Sequence, residues 1–578
     1  MTARKRVVVV GGVAGGASCA ARLRRLDESA EITVLDRGPY VSFANCGLPY
    51  YVGDVIRDEG KLLVATPELF RQRFNIEVRT RHEVRAIDRG ARTLEVCELA
   101  SGRVYQLGYD ALVLSPGAAP VRPPLAGIDL PGIFTLRTVP DSRRIREWIE
   151  GRSARRAVVV GGGFIGLEMA ENLVHRGLEV TIIEMAAQLM PALDPEMADY
   201  VLRRVRTHAA EVRLGDAVAA FEPDPGGELL VRTRQRAALP ADLVILAIGV
   251  RPETTLARAA GLEIGARGGI RVDEQMRTSD PHIWAVGDAV EVRNFVTGEQ
   301  ELIALAGPAN RQGRIAADVI CGRESRFRGV QGTAVCGFFG MTVAMTGATE
   351  RSLRRAGRED FAAVYLHPGH HVGYYPGARP IHLKLLFRPS DGSILGAQAV
   401  GEEGVERRID VIAMAMQKSA TVFDLEEAEL CYAPQYGAAK DPANLCGMLA
   451  ANVARGDVAL ADWNRLAATD ALLLDVRESE EFAAGSLPGA VNLPLGQLRG
   501  RLAELPRDRE IWVHCGVGQR AYYANRLLTQ HGFRVRNLSG GYQTYRAWYP
   551  QGAGNEHSGE SHDRQSEEHR SAEQGSRR

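Results

Sequence analysis

Several groups of residues in this chain have the types and spacing to do chemistry. One is a lone cysteine, Cys46, in the stretch VSFANCGLPYYVG over residues 41–53. It is either a small buried hydrophobe or a redox thiol working without a second cysteine close by in sequence. Two glycine-rich turns each have an acid further along: Gly11, Gly15 and Gly16 with Asp36, and Gly161, Gly163 and Gly166 with Glu184. Such glycines admit a pyrophosphate, the following helix start stabilises its charge, and the acid takes the ribose hydroxyls. The second turn is a complete G-x-G-x-x-G with its acid about twenty residues on, whereas the first has Val13 at the middle glycine position. Glu184 would bind an adenosine ribose and repel a 2′-phosphate, which favours NADH over NADPH unless Arg203 and Arg204 offset it. Finally, CGVGQR at residues 515–520 sets Cys515 in a loop whose amides, with Arg520, stabilise a thiolate.

The elements that must position these groups can be read from apolar runs. A strand is expected at residues 7–10, a helix at 18–26 and a strand at 32–35 ending on Asp36. The same order recurs at 157–160, 167–175 and 180–183. In TSDPHIWAVGDAVE, residues 278–291, a short apolar strand reaches Gly287 and Asp288 ahead of a helix-like segment, where an aspartate can hold a ribityl hydroxyl. LVLSPG at 112–117, with Ser115 and Gly117, and LVILAIG at 243–249 read as strand-and-turn crossings between two nucleotide-binding units. A separate strand, 472–475, leads into DVRESEEF, and another, 510–514, leads into Cys515.

Lys plus Arg and Asp plus Glu each number 71, so no global field draws the chain to nucleic acid or an anionic membrane. No apolar run is long enough for a membrane span. Eight cysteines lie scattered without zinc or C-x-x-C spacing, as expected for reduced thiols in a cytoplasmic protein. Clusters such as Arg203, Arg204 and Arg206 read as solvated helix faces, with Arg22 or Arg25 open to gripping an anionic substrate.

Taken together, the two turns, Asp288 and the crossings resemble the pyridine nucleotide–disulfide oxidoreductases over about residues 5–447. The resemblance implies an α/β fold with two Rossmann-like domains: FAD on the first unit plus Asp288, NADH or NADPH on the second. It also implies an α+β dimerisation domain and a homodimer. The expected boundaries are 1–115 with 250–325 for FAD, 116–249 for NAD(P)H and 326–447 for dimerisation. SFANCGLPYY resembles the single-cysteine branch of NADH oxidases, NADH peroxidases and coenzyme A-disulfide reductases. HVGYYPGA, with Tyr374 and Tyr375, and CYAPQYGAAKDPAN, with Tyr432 and Tyr436, resemble the last of these, where tyrosines of the partner subunit reach the active cysteine. Cys431 and Cys446 are expected to be packing thiols. After a connector at 448–469, residues 470–550 resemble an α/β rhodanese domain, implying a persulfide on Cys515; Ser486 stands where histidine is common.

These resemblances imply an NAD(P)H-dependent, FAD-containing reductase of CoA-disulfide, CoA-persulfide or polysulfide, coupled to a sulfur carrier. Ser42 and Asn45 are expected to position the substrate, with coenzyme A as substrate or bound ligand. An NADH oxidase or peroxidase using a Cys46 sulfenic acid is the alternative enzyme, and a redox-sensing sulfur-carrier adaptor the alternative of another class. No metal site is expected, His557, His562 and His569 being too loosely placed. Residues 551–578 are polar, without apolar periodicity, and are expected to be disordered.

Overall fold

The protein is described by a computed structural model for residues 4–208, 211–224 and 229–549. The C-terminal tail and its histidines lie outside the described residues. Two five-stranded parallel sheets repeat one plan. In the first, the strand order is Ile283–Ala285, Ala111–Leu114, Arg6–Val10, Glu31–Asp36, Glu77–Thr80. In the second it is Ile133–Phe134, Leu243–Leu246, Arg156–Val160, Glu179–Glu184, Glu211–Leu214. The central strands are buried through VVV and AVVV because each sheet packs between helices and a three-stranded antiparallel sheet, His82–Asp88, Thr93–Glu98 and Val104–Gly108 for the first and Val218–Pro223, Leu229–Thr233 and Ala238–Ala241 for the second. Each glycine turn leads directly into its helix, Ala14–Leu26 or Phe164–His175, one turn earlier than the apolar pattern suggests.

The crossings expected after residues 117 and 249 pair with each other as an antiparallel ribbon, Ala118–Pro120 with Val250–Pro252. One expectation fails. Asp288 is followed by a strand, Val290–Arg293, and the long helix Ala306–Ile320 comes later. The β-branched residues Val290 and Val292 suit a buried strand better than a helix. The helix still reaches the turn, because Gln312 accepts the Gly287 N–H at 2.7 Å.

A five-stranded antiparallel sheet runs Ala334–Phe338, Met341–Gly347, Ile394–Gly401, Ile381–Phe387, Ala362–Leu366. The helices Val405–Gln417, Val422–Glu427 and Pro442–Ala454 pack with it. A four-stranded parallel sheet follows, in the order Val491–Asn492, Leu472–Asp475, Ile511–His514, Val535–Asn537.

This last unit is packed tightly on the rest. Tyr365, Trp463, Leu473, Trp512 and Leu538 form one apolar cluster across the junction. The Tyr365 N–H donates to Ser539 Oγ at 2.8 Å, and Trp463 Nε1–H to the Ser539 carbonyl at 3.2 Å. His367 meets Thr544 at 2.8 Å and His382 at 2.9 Å, while Tyr200 stacks on His382 at 3.9 Å. Arg203 and Arg204, expected on a solvated face, are instead engaged: Arg203 pairs with Asp199 and ties this junction through the Arg546 carbonyl, while Arg204 pairs with Glu402 beside the antiparallel sheet.

Burial holds both junction histidines neutral, with His382 pushed down to about 4 and His367 also well below its usual value. A histidine that undocks returns toward about 6.5. Between those values the undocked form takes up protons that the docked form refuses, so docking is strongest above about pH 6.5 and weakens as pH falls toward 4. Acidification from pH 7 to 4.5 is therefore expected to expose the buried Trp463, read by its fluorescence. The same titration of a His367→Gln, His382→Gln variant should be flat, and a wild-type signal without pH dependence would contradict the assignment.

Candidate active site

At the first turn, Gly11 has φ +93°, and a Cβ there would fall 2.0 Å from the Ser115 carbonyl oxygen. A Cβ on Gly16 would meet the Gly11 carbonyl at 1.9 Å, and one on Gly15 would lie 3.3 Å from Ser115 Oγ. Only glycine allows the turn, the helix start and the 112–117 crossing to approach this closely. Asp36 accepts the Gly12 and Gly38 N–H groups at 2.9 and 2.8 Å, and burial pushes its pKa up. The second turn repeats this: Gly161 against Ala247, Gly166 against Gly161, and Glu184 accepting the Gly162 and Ala186 N–H groups, both at 2.7 Å. Space beside Gly163 is open, as approach of a pyrophosphate demands. Both turns thus fit a dinucleotide.

Asp288 lies across the first turn. Its carboxylate takes Arg137 Nη2 at 2.8 Å, and that same nitrogen would be 3.1 Å from a Cβ on Gly117. Arg137 was not singled out from the sequence. It sits 91 residues from Cys46, yet its carbonyl accepts the Asn45 side-chain N–H at 3.2 Å.

Cys46 is in a short 3-10 turn, Asn45–Gly47, just before the helix Leu48–Val52. It is exposed to a cavity of about 570 Å³ whose lining includes Arg22, Arg25, Ser42, Asn45 and Arg314. Ser42 holds a strained φ of +48°, its N–H donating to the Gly12 carbonyl at 2.8 Å, which ties the cysteine loop to the first turn. Arg22 pairs with Asp318 at 2.8 Å, whereas Arg25 and Arg314 have no ion pair among the described residues.

The Cys46 thiol is not a stabilised thiolate in this chain alone. Its immediate surroundings push its pKa up, by desolvation first and then by Glu168 and Asp288, while Arg137 opposes. Glu168, half-buried on the helix Phe164–His175, meets Tyr50 Oη at 3.4 Å and Cys336 Sγ at 3.8 Å, and desolvation pushes it up to about 6. No local motif announced this cluster, because its members come from three distant stretches.

Within one chain the tyrosines do not line the Cys46 cavity. Tyr374 and Tyr432 bond to each other, Oη to Oη at 2.7 Å, while remaining 74% and 46% exposed; Tyr375 and Tyr436 are exposed beside them in sequence. Cys446 is buried as expected, but Cys431 is exposed, because it sits in the irregular link between the helices Val422–Glu427 and Pro442–Ala454.

Cys515 is 1% exposed, at the end of the strand Ile511–His514. Its Sγ accepts the Gly518 N–H at 3.2 Å, and Gly518 has φ +105°. The helix Gly541–Trp548 also meets this loop: Tyr542 and Gln543 donate to the Cys515 and Gly516 carbonyls at 2.7 and 3.0 Å. Arg520 reaches toward Cys515 and is held by Glu481 through two bonds, 2.6 and 2.7 Å. Ser486, the departure from the usual histidine, donates to the buried Asp475 at 2.9 Å, beside Arg477.

Residues 5–313 match the pyridine nucleotide-disulphide oxidoreductase family, residues 333–442 its dimerisation domain, and residues 461–547 the rhodanese-like domain. The chain is 34% identical over 444 residues to a coenzyme A disulfide reductase of Staphylococcus haemolyticus, covering 77% of this chain and 98% of the relative. Among solved structures it resembles the reduced Bacillus anthracis CoADR-RHD, with 46% identity, TM-score 0.92 and coverage of 95% and 99% of the two chains. It also resembles an NAD-dependent persulfide reductase from A. fulgidus, with 38% identity, TM-score 0.86 and coverage of 93% and 100%. Paired glycine turns, a single exposed thiol between them and a further thiol on a rhodanese-like loop agree with these matches along the chain, which belongs to the pyridine nucleotide-disulphide oxidoreductase family and carries a C-terminal rhodanese-like domain.

Proposed function

We propose that the protein reduces CoA-disulfide, CoA-persulfide or polysulfide with electrons from NAD(P)H, through Cys46, and that Cys515 carries sulfane sulfur. The observation that carries this reading is the arginine-lined cavity ending on Cys46. Arg25 and Arg314 suit the phosphates of a CoA-type substrate, and Ser42 and Asn45 its sulfur-bearing end. FAD would be held by the turn at Gly11–Gly16, Asp36, Ser115, Gly117 and Asp288; when bound, it supplies the two-electron chemistry that links NAD(P)H to sulfur. The nicotinamide cofactor would lie on Gly161, Gly163, Gly166 and Glu184. NADH is the favoured donor, since Arg203 is engaged by Asp199 and the Arg546 carbonyl and Arg204 by Glu402, and they do not offset Glu184.

As a thiolate, Cys46 attacks one sulfur of the substrate; a mixed disulfide forms and the other sulfur leaves as a thiolate. Tyr432, with Tyr374 or Tyr375, supplies the hydrogen bond or proton to that leaving sulfur across a homodimer interface, with Tyr436 at its edge. The exposure of this tyrosine patch on one chain supports that arrangement. All eight cysteines are free, which suits a reducing cytoplasm. Among the described residues no helix is long and apolar enough to cross a membrane.

Anaerobic NADH oxidation by the holoenzyme should be supported by CoA-disulfide and polysulfide. A water-forming NADH oxidase of Lactobacillus brevis shares 28% identity with the chain at TM-score 0.74. Turnover with oxygen or peroxide alone would therefore replace the sulfur reading with that chemistry.

A further inference from the structure

The only cation reaching the Cys515 thiol from its own loop is Arg520, and Glu481 engages both of its terminal nitrogens, at 2.6 and 2.7 Å. Both groups border the thiol's neighbour: a Cβ on Gly516 would lie 3.6 Å from Arg520 Nη2 and 3.9 Å from Glu481 Oε1. The other nearby guanidinium, Arg477, is spent on Asp475 and the Gly485 carbonyl and lies over the Tyr542 ring. The rest of the loop, Gly516, Val517, Gly518 and Gln519, carries no charge. A thiolate on Cys515 would therefore face one cation already neutralised by a carboxylate. A dianionic donor such as thiosulfate meets net repulsion there, while a donor whose transferred sulfur is uncharged does not.

We infer that Glu481, acting through Arg520, is a specificity-determining residue that turns the Cys515 loop away from dianionic sulfur donors and toward persulfides of organic thiols. The inference rests on the reading of Cys515 as a sulfur carrier. In the favoured transfer, the Cys515 thiolate attacks the terminal sulfur of R–S–SH. The Cys515–sulfur bond forms, the R–S to S bond breaks, the proton stays on the transferred sulfur and the electron pair departs on R–S⁻. With thiosulfate the leaving group is sulfite, which takes both negative charges out past Glu481. Neither transfer needs an oxidant or reductant.

Glu481→Gln is the test. Glutamine can keep the bond from the Glu478 N–H, now 3.2 Å, that caps the short helix Ser479–Ala483, so the loop's support is retained. In the full-length holoenzyme, persulfide formation on Cys515 is followed by mass spectrometry with thiosulfate and, separately, with glutathione persulfide. Removing one unit charge near the site should raise kcat/KM for thiosulfate by about fivefold at low ionic strength. Glutathione persulfide should change less, and the thiosulfate gain should shrink as salt screens the charge. Glu481→Asp should behave as wild type. An equal fall with both donors, or a thiosulfate rate insensitive to salt and substitution, would overturn the inference while leaving Cys515 a carrier. Failure of wild-type Cys515 to take sulfur from either donor would overturn the carrier reading and this inference with it.

Discussion

Cys46→Ser is expected to lower NADH-dependent reduction of CoA-disulfide and of polysulfide by about 10³-fold or more, because no other side chain in the cavity is a nucleophile toward sulfur. Cys336 does not substitute for it: this thiol is buried, bonded to Glu168 and pushed far up in pKa by burial. The loss should fall on kcat, since Arg25, Arg314, Ser42 and Asn45 still bind the substrate. Cys515→Ser should instead leave CoA-disulfide reduction intact and abolish persulfide loading at the loop. Steady-state rates on both substrates, beside mass spectrometry of each variant, separate the two thiols. Equal losses in the two variants would show that the domains turn over only as a coupled unit, and an active Cys46→Ser enzyme would remove the thiol from the mechanism.

The second large effect concerns stability. Lys384, its side chain 1% exposed, reaches Asp194 at 2.8 Å, Glu350 at 2.7 Å and Glu196. Tyr365 donates to Glu196 at 2.9 Å and Gln398 to Asp194 at 2.7 Å. This cluster joins the N-terminus of the helix Pro195–Arg206 to the antiparallel sheet. Lys384→Met leaves three buried carboxylates facing one another, a loss of about 3–5 kcal/mol. Scanning calorimetry should show the first transition lowered by about 5 °C or more. Adding Glu350→Gln should recover part of it by removing one of the stranded charges, and an unchanged profile would deny the cluster its structural role.

What could be read along the chain was whatever physics makes local. Glycine turns, their acids and the valine strands lie within short windows, so both nucleotide-binding units and the loop around Cys515 were legible. Arg137, Glu168 and Glu481 were not, because each acts on a partner distant in sequence: Arg137 on Asp288, Glu168 on Tyr50 and Cys336, Glu481 on Arg520. The segment after Asp288 reads as helix in sequence but forms the strand Val290–Arg293, because a glycine-acid turn looks the same ahead of either element. Arg203 and Arg204 looked like solvent charges because their partners, Glu402 and the Arg546 carbonyl, belong to other domains.

The apolar cluster around Tyr365, Trp463 and Trp512 also bears on how such a chain can change over time. A carrier domain on a loose tether can be lost, duplicated or exchanged without harm to its neighbour. Here the two parts share a hydrophobic interior, and the helix Gly541–Trp548 touches the Cys515 loop on one side and the Tyr200 helix on the other. Deleting the C-terminal unit by recombination would uncover an oily face on the part that remained, with the aggregation that follows. Substitutions on either side of the junction must therefore be matched on the other.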